Sequence, residues 1–139
     1  MSSKTEMSCF SVLTTRRIMK QELSPLALAF LGDSIHTTFV RERVLKSTTN
    51  KLANYHNQAK KFCNAKKQME ILEKILPTLT EEELDIVRRA RNAHAKHNAK
   101  NFDEETYKKA TAFEALIGYL YLNDEKARLH NILEISIQE

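Results

Sequence analysis

The sequence predicts an all-α fold, a single compact multi-helix domain of about six or seven helices. Three observations carry that reading. Two glycines and two prolines in 139 residues leave little turn material for a sheet. Apolar residues recur at helical spacing along most of the chain. Capping and stop signals bracket those apolar runs.

Residues 1–23 read as a polar lead-in, with a short helical piece around Arg16 to Glu22, and residues 24–139 as the domain. Ser24-Pro25 opens the first long helix, with serine as N-cap and proline in the first helical position, where its missing N–H costs nothing. That helix covers Leu26 to Leu45, and Ser47-Thr48-Thr49-Asn50 breaks it. A second helix covers Lys51 to Phe62, with Leu52, Tyr55, Ala59 and Phe62 on one face. A third covers Ala65 to Leu76, with Met69, Leu72, Ile75 and Leu76 inward, and Pro77 ends it. Thr80 and Glu83 form the pattern of a capping box, starting a fourth helix with Leu84, Val87 and Arg91 a turn apart. Asn101 with Glu104, or Asp103 alone, starts a fifth helix that Asn123 or Asp124 stops. A last helix carries Leu129, Ile132, Leu133 and Ile137.

Apolar residues at 42% and charged residues at 29% are ordinary for a soluble globular protein. A net charge of +4 suggests an anionic partner without identifying one. No apolar run reaches bilayer-spanning length, and the start MSSKTEMSCFSVLTTRR has no signal-peptide core, so no membrane partner is expected. Cys9 and Cys63 fit free or buried thiols in a reducing cytoplasm, and no Cys/His spacing matches a zinc site.

The two glycines are the most informative residues. Gly32 lies in LALAFLGDSIHTTFVRERVL beside one acid, Asp33; Gly118 lies in TAFEALIGYLYL with one acid, Glu114, four residues before it. Helix-interior glycine costs roughly 1 kcal/mol relative to alanine, and its usual compensation is close approach of another backbone. A helical wheel places Asp33 with Leu26, Phe30, Val40 and Val44, with Thr37 one turn on, while Leu28, Leu31, Ile35 and Phe39 cover the other side. The first half of the helix is therefore apolar all round and expected to be buried. Two such helices crossing at their glycines would bring Asp33 and Glu114 together. Two carboxylates in an apolar surround do not both stay ionised without a cation, and a divalent metal is the simplest one. Taken singly, each acid is better explained by accepting an N–H or pairing with an arginine such as Arg41; the matched pattern shifts the balance toward the metal.

RRARNAHAKHNAKN, Arg88 to Asn101, contains Arg88, Arg89, Arg91, Lys96 and Lys100, the pair His94 and His97, and no acid. A solvated helix end would explain its first turn. The charge runs on beyond that turn, interleaved with groups suited to phosphate oxygens and ribose hydroxyls, so this stretch is the candidate nucleic-acid contact. Lys60, Lys61, Lys66 and Lys67 fit an ordinary solvated face.

These residues resemble a known family. LALAFLGDSIHTTFVR paired with TAFEALIGYLYL, in that order and with RRARNA between them, is similar to the ribonuclease III catalytic domain, and most of all to its short Mini-III branch, which lacks a double-stranded-RNA-binding domain. The likeness runs from about Ser24 to Leu133. It implies an all-α, homodimeric endoribonuclease that hydrolyses double-stranded RNA with Mg²⁺. Asp33 matches the aspartate of the family's G-D motif and Glu114 the glutamate of its F-E-A motif, so both would be catalytic metal ligands. The implied substrate is the precursor of 23S ribosomal RNA, with a ribosomal protein as a conceivable accessory partner. Full-length members carry further carboxylates four residues before the aspartate and three before the glutamate; here these are Ala29 and Thr111. Two carboxylates with waters and a phosphate suffice for Mg²⁺, but a firmly held second metal is not expected.

Two other readings stay open on sequence alone. One is a non-catalytic double-stranded-RNA-binding module with a degenerate site. The other is a helical interaction domain whose basic stretch meets an acidic protein.

Overall fold

A computed structural model of the chain describes residues 23–47, 52–93 and 103–139. Among them lie six α-helices: α1 (Pro25–Ser47), α2 (Leu52–Lys60), α3 (Ala65–Ile75), α4 (Glu81–Asn92), α5 (Glu104–Leu122) and α6 (Lys126–Ser136), with a short 3₁₀ turn (Leu76–Thr78) after α3. The lead-in as far as residue 22 lies outside the described residues.

The ends of these helices follow from their capping chemistry. Ser24 Oγ accepts from Ala27 N at 3.1 Å and Asn64 Oδ1 from Lys67 N at 2.9 Å, satisfying N–H groups that have no partner inside the helix. Thr80 and Glu83 close a reciprocal capping box, with Glu83 N donating to Thr80 Oγ1 at 3.2 Å and Thr80 N to Glu83 Oε1 at 2.9 Å. Glu83 is buried and also takes Nε–H and Nη2–H of Arg128, both at 3.0 Å. Burial works to raise its carboxyl pKa, but the Arg128 and Thr80 hydrogen bonds hold it below its ordinary value. Asp103 caps α5, and Asn123 closes it by returning its N–H to Tyr119 O. Asp124 takes a left-handed φ of 58° between α5 and α6.

Helix α5 is the axis of the molecule, packed by α1, α3, α4 and α6. It is buried from Ala110 through Leu120, save Glu114, with Phe113, Leu116 and Ile117 fully enclosed. Ile71, Leu72 and Ile75 from α3, Ile86 and Ala90 from α4, and Ile132 from α6 complete the core.

The buried face of α1 differs from the expected one. It consists of Leu28, Ala29, Gly32, His36, Val40 and Val44, whereas Phe30 is 84% exposed and Asp33 is exposed. A helix apolar all round gives no phase, and the close approach at Gly32 sets it instead. In α3 it is Gln68 that is buried, while Met69 is only half-buried. In α4 Leu84 is 37% exposed, and Ile86 takes the inward place.

Candidate active site

The site is built on the crossing of α1 and α5. A Cβ added to Gly32 would lie 1.7 Å from the Glu114 carbonyl oxygen, and one added to Gly118 would lie 2.1 Å from the Leu28 carbonyl oxygen. Each glycine therefore seats the other helix's main chain where any side chain would stand. Asp33 follows the first glycine and Glu114 precedes the second by one turn, so the crossing brings the two carboxyl groups into hydrogen-bonding contact. Asp33 is exposed and Glu114 half-buried, so the pair lies at the surface end of the crossing rather than inside the core.

Burial pushes the Glu114 carboxyl up to about 9, and the hydrogen bond and negative charge of Asp33 push the same way; a hydrogen bond from Gln68 opposes them. The pair therefore holds a proton that a cation would displace. Around it, Thr37 is hydrogen-bonded to the Cys63 thiol, and Cys63 feels the charges of Asp33, Arg41 and Glu114. Burial pushes the Cys63 thiol up to about 11, so it is no thiolate nucleophile at neutral pH. Cys9 lies outside the described residues.

Behind Glu114 runs a buried polar chain. Gln68 Nε2 lies 3.3 Å from His36 Nδ1, and His36 Nε2 lies 3.2 Å from Ser136 Oγ, whose hydroxyl donates to Leu133 O at 2.6 Å. Burial lowers the His36 pKa to about 4, against a smaller opposite effect of Asp33. Neither Gln68 nor His36 stood out in the sequence as belonging to the site. The available signal was that His36 lies one turn beyond Gly32 on the same face, and that Gln68 occupies an inward position of α3.

The basic residues are arranged differently. Arg88, Arg89 and Arg91 occupy the last turns of α4. Arg88 and Arg91 are exposed, and both are ion-paired: Arg88 with Asp85 at 2.5 Å and Arg91 with Glu105 at the start of α5. The absence of acids within the stretch itself gave no sign of these partners, which come from the preceding turn and the next helix. Lys96, Lys100, His94 and His97 lie outside the described residues. Tyr119 is buried and donates its hydroxyl to Glu82 Oε2 at 3.1 Å.

The model of the ribonuclease III domain family matches residues 26–125, a span that includes both glycines, both acids and the arginine-rich turn. The chain belongs to the ribonuclease III family. Among its relatives, a Mini-ribonuclease 3 of Thermoanaerobacter sp. is 39% identical, with 96% of each chain covered. That of Brevibacillus brevis is 44% identical over 80% of this chain and 83% of its own, and that of Staphylococcus aureus 43% over 80% and 84%. A crystal structure of a Fusobacterium nucleatum protein superposes with a TM-score of 0.76 at 35% identity, covering 84% of this chain and 93% of that one. The Mini-III resemblance and the all-α fold are thereby established, and with them an enzyme that hydrolyses phosphodiesters within RNA.

The donor set of this ribonuclease suits a hard, oxygen-seeking cation. Two touching carboxylates at a half-open surface match the way Mg²⁺ is usually held, by one or two carboxylates with waters and substrate phosphate completing six positions. Among the described residues no cluster of three or more His, Cys, Asp or Glu is placed to enclose a metal. Ala29 and Thr111, where longer members carry acids, are both buried. No helix among the described residues is long and apolar enough to cross a membrane.

Proposed function

We propose that this ribonuclease cleaves double-stranded RNA in a Mg²⁺-dependent reaction, with Asp33 and Glu114 as the metal ligands, and that its natural substrate is the 23S ribosomal RNA precursor. The contact of the two carboxylates across the Gly32–Gly118 crossing carries this reading. Bound there, the metal would lower the pKa of a coordinated water and offset charge developing on the scissile phosphate. The protein's own part is placement. The two main chains fix the acids relative to one another, and Gln68 steadies Glu114 in its ionised form. No side chain need act as nucleophile, in keeping with the raised thiol of Cys63.

Arg88, Arg89 and Arg91, with Lys96 and Lys100, would neutralise phosphates and set the register of the duplex. Shape rather than base edges would dominate recognition, because the A-form major groove is deep and narrow. A homodimer is supported by Phe30, a large apolar side chain left 84% exposed three residues before Asp33. The 23S precursor rests on the Mini-III branch alone, and a ribosomal protein as partner is part of the same assignment.

Incubation with duplex and single-stranded RNA, with and without Mg²⁺, tests the proposal. Cleavage of duplex only, and only with metal, is expected. Asp33→Asn and Glu114→Gln should each lose roughly 10³-fold or more in cleavage, since a catalytic metal contributes several kcal/mol. Both variants should still bind duplex. A wild-type chain that leaves duplex RNA whole in Mg²⁺ overturns the reading in favour of a binding module.

A further inference from the structure

Polar groups in a core are costly unless each finds a partner, and the chain behind Glu114 is satisfied throughout. Its donors and acceptors follow from one proton. The Ser136 hydroxyl has a single hydrogen, which goes to Leu133 O at 2.6 Å. Ser136 Oγ must then accept from His36 Nε2–H at 3.2 Å, which leaves His36 Nδ1 as an acceptor. Gln68 Nε2–H fills it at 3.3 Å. The amide nitrogen of Gln68 has a second hydrogen, left over for the neighbouring Glu114 carboxylate, which Gln68 favours in its ionised form.

Three helices besides α5 meet in this chain: α1 through His36, α3 through Gln68 and α6 through Ser136. His36 and Ser136 are fully buried and Gln68 is 6% exposed. Glu114 is the one member that reaches partial exposure. An apolar trio of similar volume would fill the same space at no cost in unpaired groups, so packing alone does not call for these side chains.

We propose that Gln68, held in place by His36 and Ser136, is a positioning residue for the metal-binding carboxylate of Glu114. Its amide would hold the Glu114 carboxylate in its ionised form, ready to take a cation. This inference rests on the metal site proposed above. Groups that hydrogen-bond metal-ligating carboxylates commonly change metal affinity by roughly 10- to 100-fold when removed.

The test is calorimetric titration of Mg²⁺ and Mn²⁺ into the full chain, with thermal melting of the same samples in EDTA. Gln68→Leu should weaken metal binding roughly 10- to 100-fold, beyond anything its melting temperature accounts for. In a Glu114→Gln background it should cause no further loss, a non-additivity that a purely structural residue would not show. Should Gln68→Leu not fold, Ser136→Ala is the second variant, with a smaller loss in the same direction. Unchanged metal affinity in the variant that folds overturns the proposal. The nitrogen shifts of the His36 ring give a readout independent of metal: the Nε2–H tautomer is expected, and an Nδ1–H tautomer overturns it. If the wild-type chain takes up no more metal than Glu114→Gln does, the metal site itself fails; if wild type binds and Gln68→Leu matches it, only the positioning role fails.

Discussion

The Gly32–Gly118 crossing and the arginine-rich end of α4 belong to one enzyme but are built on opposite terms. At the crossing, main chain rests on main chain, and nothing can shift without moving a whole helix. At the end of α4, Arg88 and Arg91 are exposed and hold acids in pairs that water and salt weaken. The roles proposed for the two regions ask for this: chemistry at a phosphate needs atoms fixed to a fraction of an ångström, whereas neutralising a duplex backbone needs charges that can change partners.

Four experiments would break or sharpen that contrast. The largest effect belongs to Gly32→Ala, whose new methyl would lie 1.7 Å from a carbonyl oxygen. The two helices must part, and a stability loss of about 3 kcal/mol or more is expected in denaturant titration. A loss below about 1 kcal/mol would mean that the two main chains do not rest on one another.

His36 comes next. Its folded pKa of about 4 lies below the ordinary 6.5, so as pH falls through about 6.5 the unfolded chain takes a proton that the folded chain refuses until about 4. The resulting loss of stability is absent above that window, grows through it, and amounts to at most about 3 kcal/mol. Glu114 also titrates with the fold, so the comparison is with His36→Gln, whose stability curve should lack this fall.

Smaller again is the effect of replacing Arg88, Arg89 and Arg91 together with alanine. Binding of duplex RNA should weaken for all sequences alike, and the slope against log salt should shrink by about one for each phosphate no longer neutralised. An unchanged slope would remove α4 from the RNA interface. The smallest effect is that of Glu105→Gln, which frees Arg91 at a stability change within about 1 kcal/mol.

The helices were legible in the sequence because their ends carry local chemistry: Ser24-Pro25, the Thr80–Glu83 box, Pro77 and Asp103 act within a turn. The pairing of Asp33 with Glu114 was legible because a glycine in an apolar helix demands a close neighbour, and the chain has only two. The phase of α1 was not, since a helix greasy on every side can turn either way until its partner is known, and Phe30 fell outward. Gln68, His36 and Ser136 were hidden for another reason. Their hydrogen bonds span 32 and 100 residues, and no local pattern records a bond of that reach.

The carbonyl that rests on Gly32 belongs to Glu114 itself. One residue thus supplies both a strut of the scaffold and a carboxylate of the proposed metal site, with no loop between the two duties. Heating should therefore cause no early inactivation: the enzyme keeps its working geometry until the whole domain melts, and then loses both at one temperature.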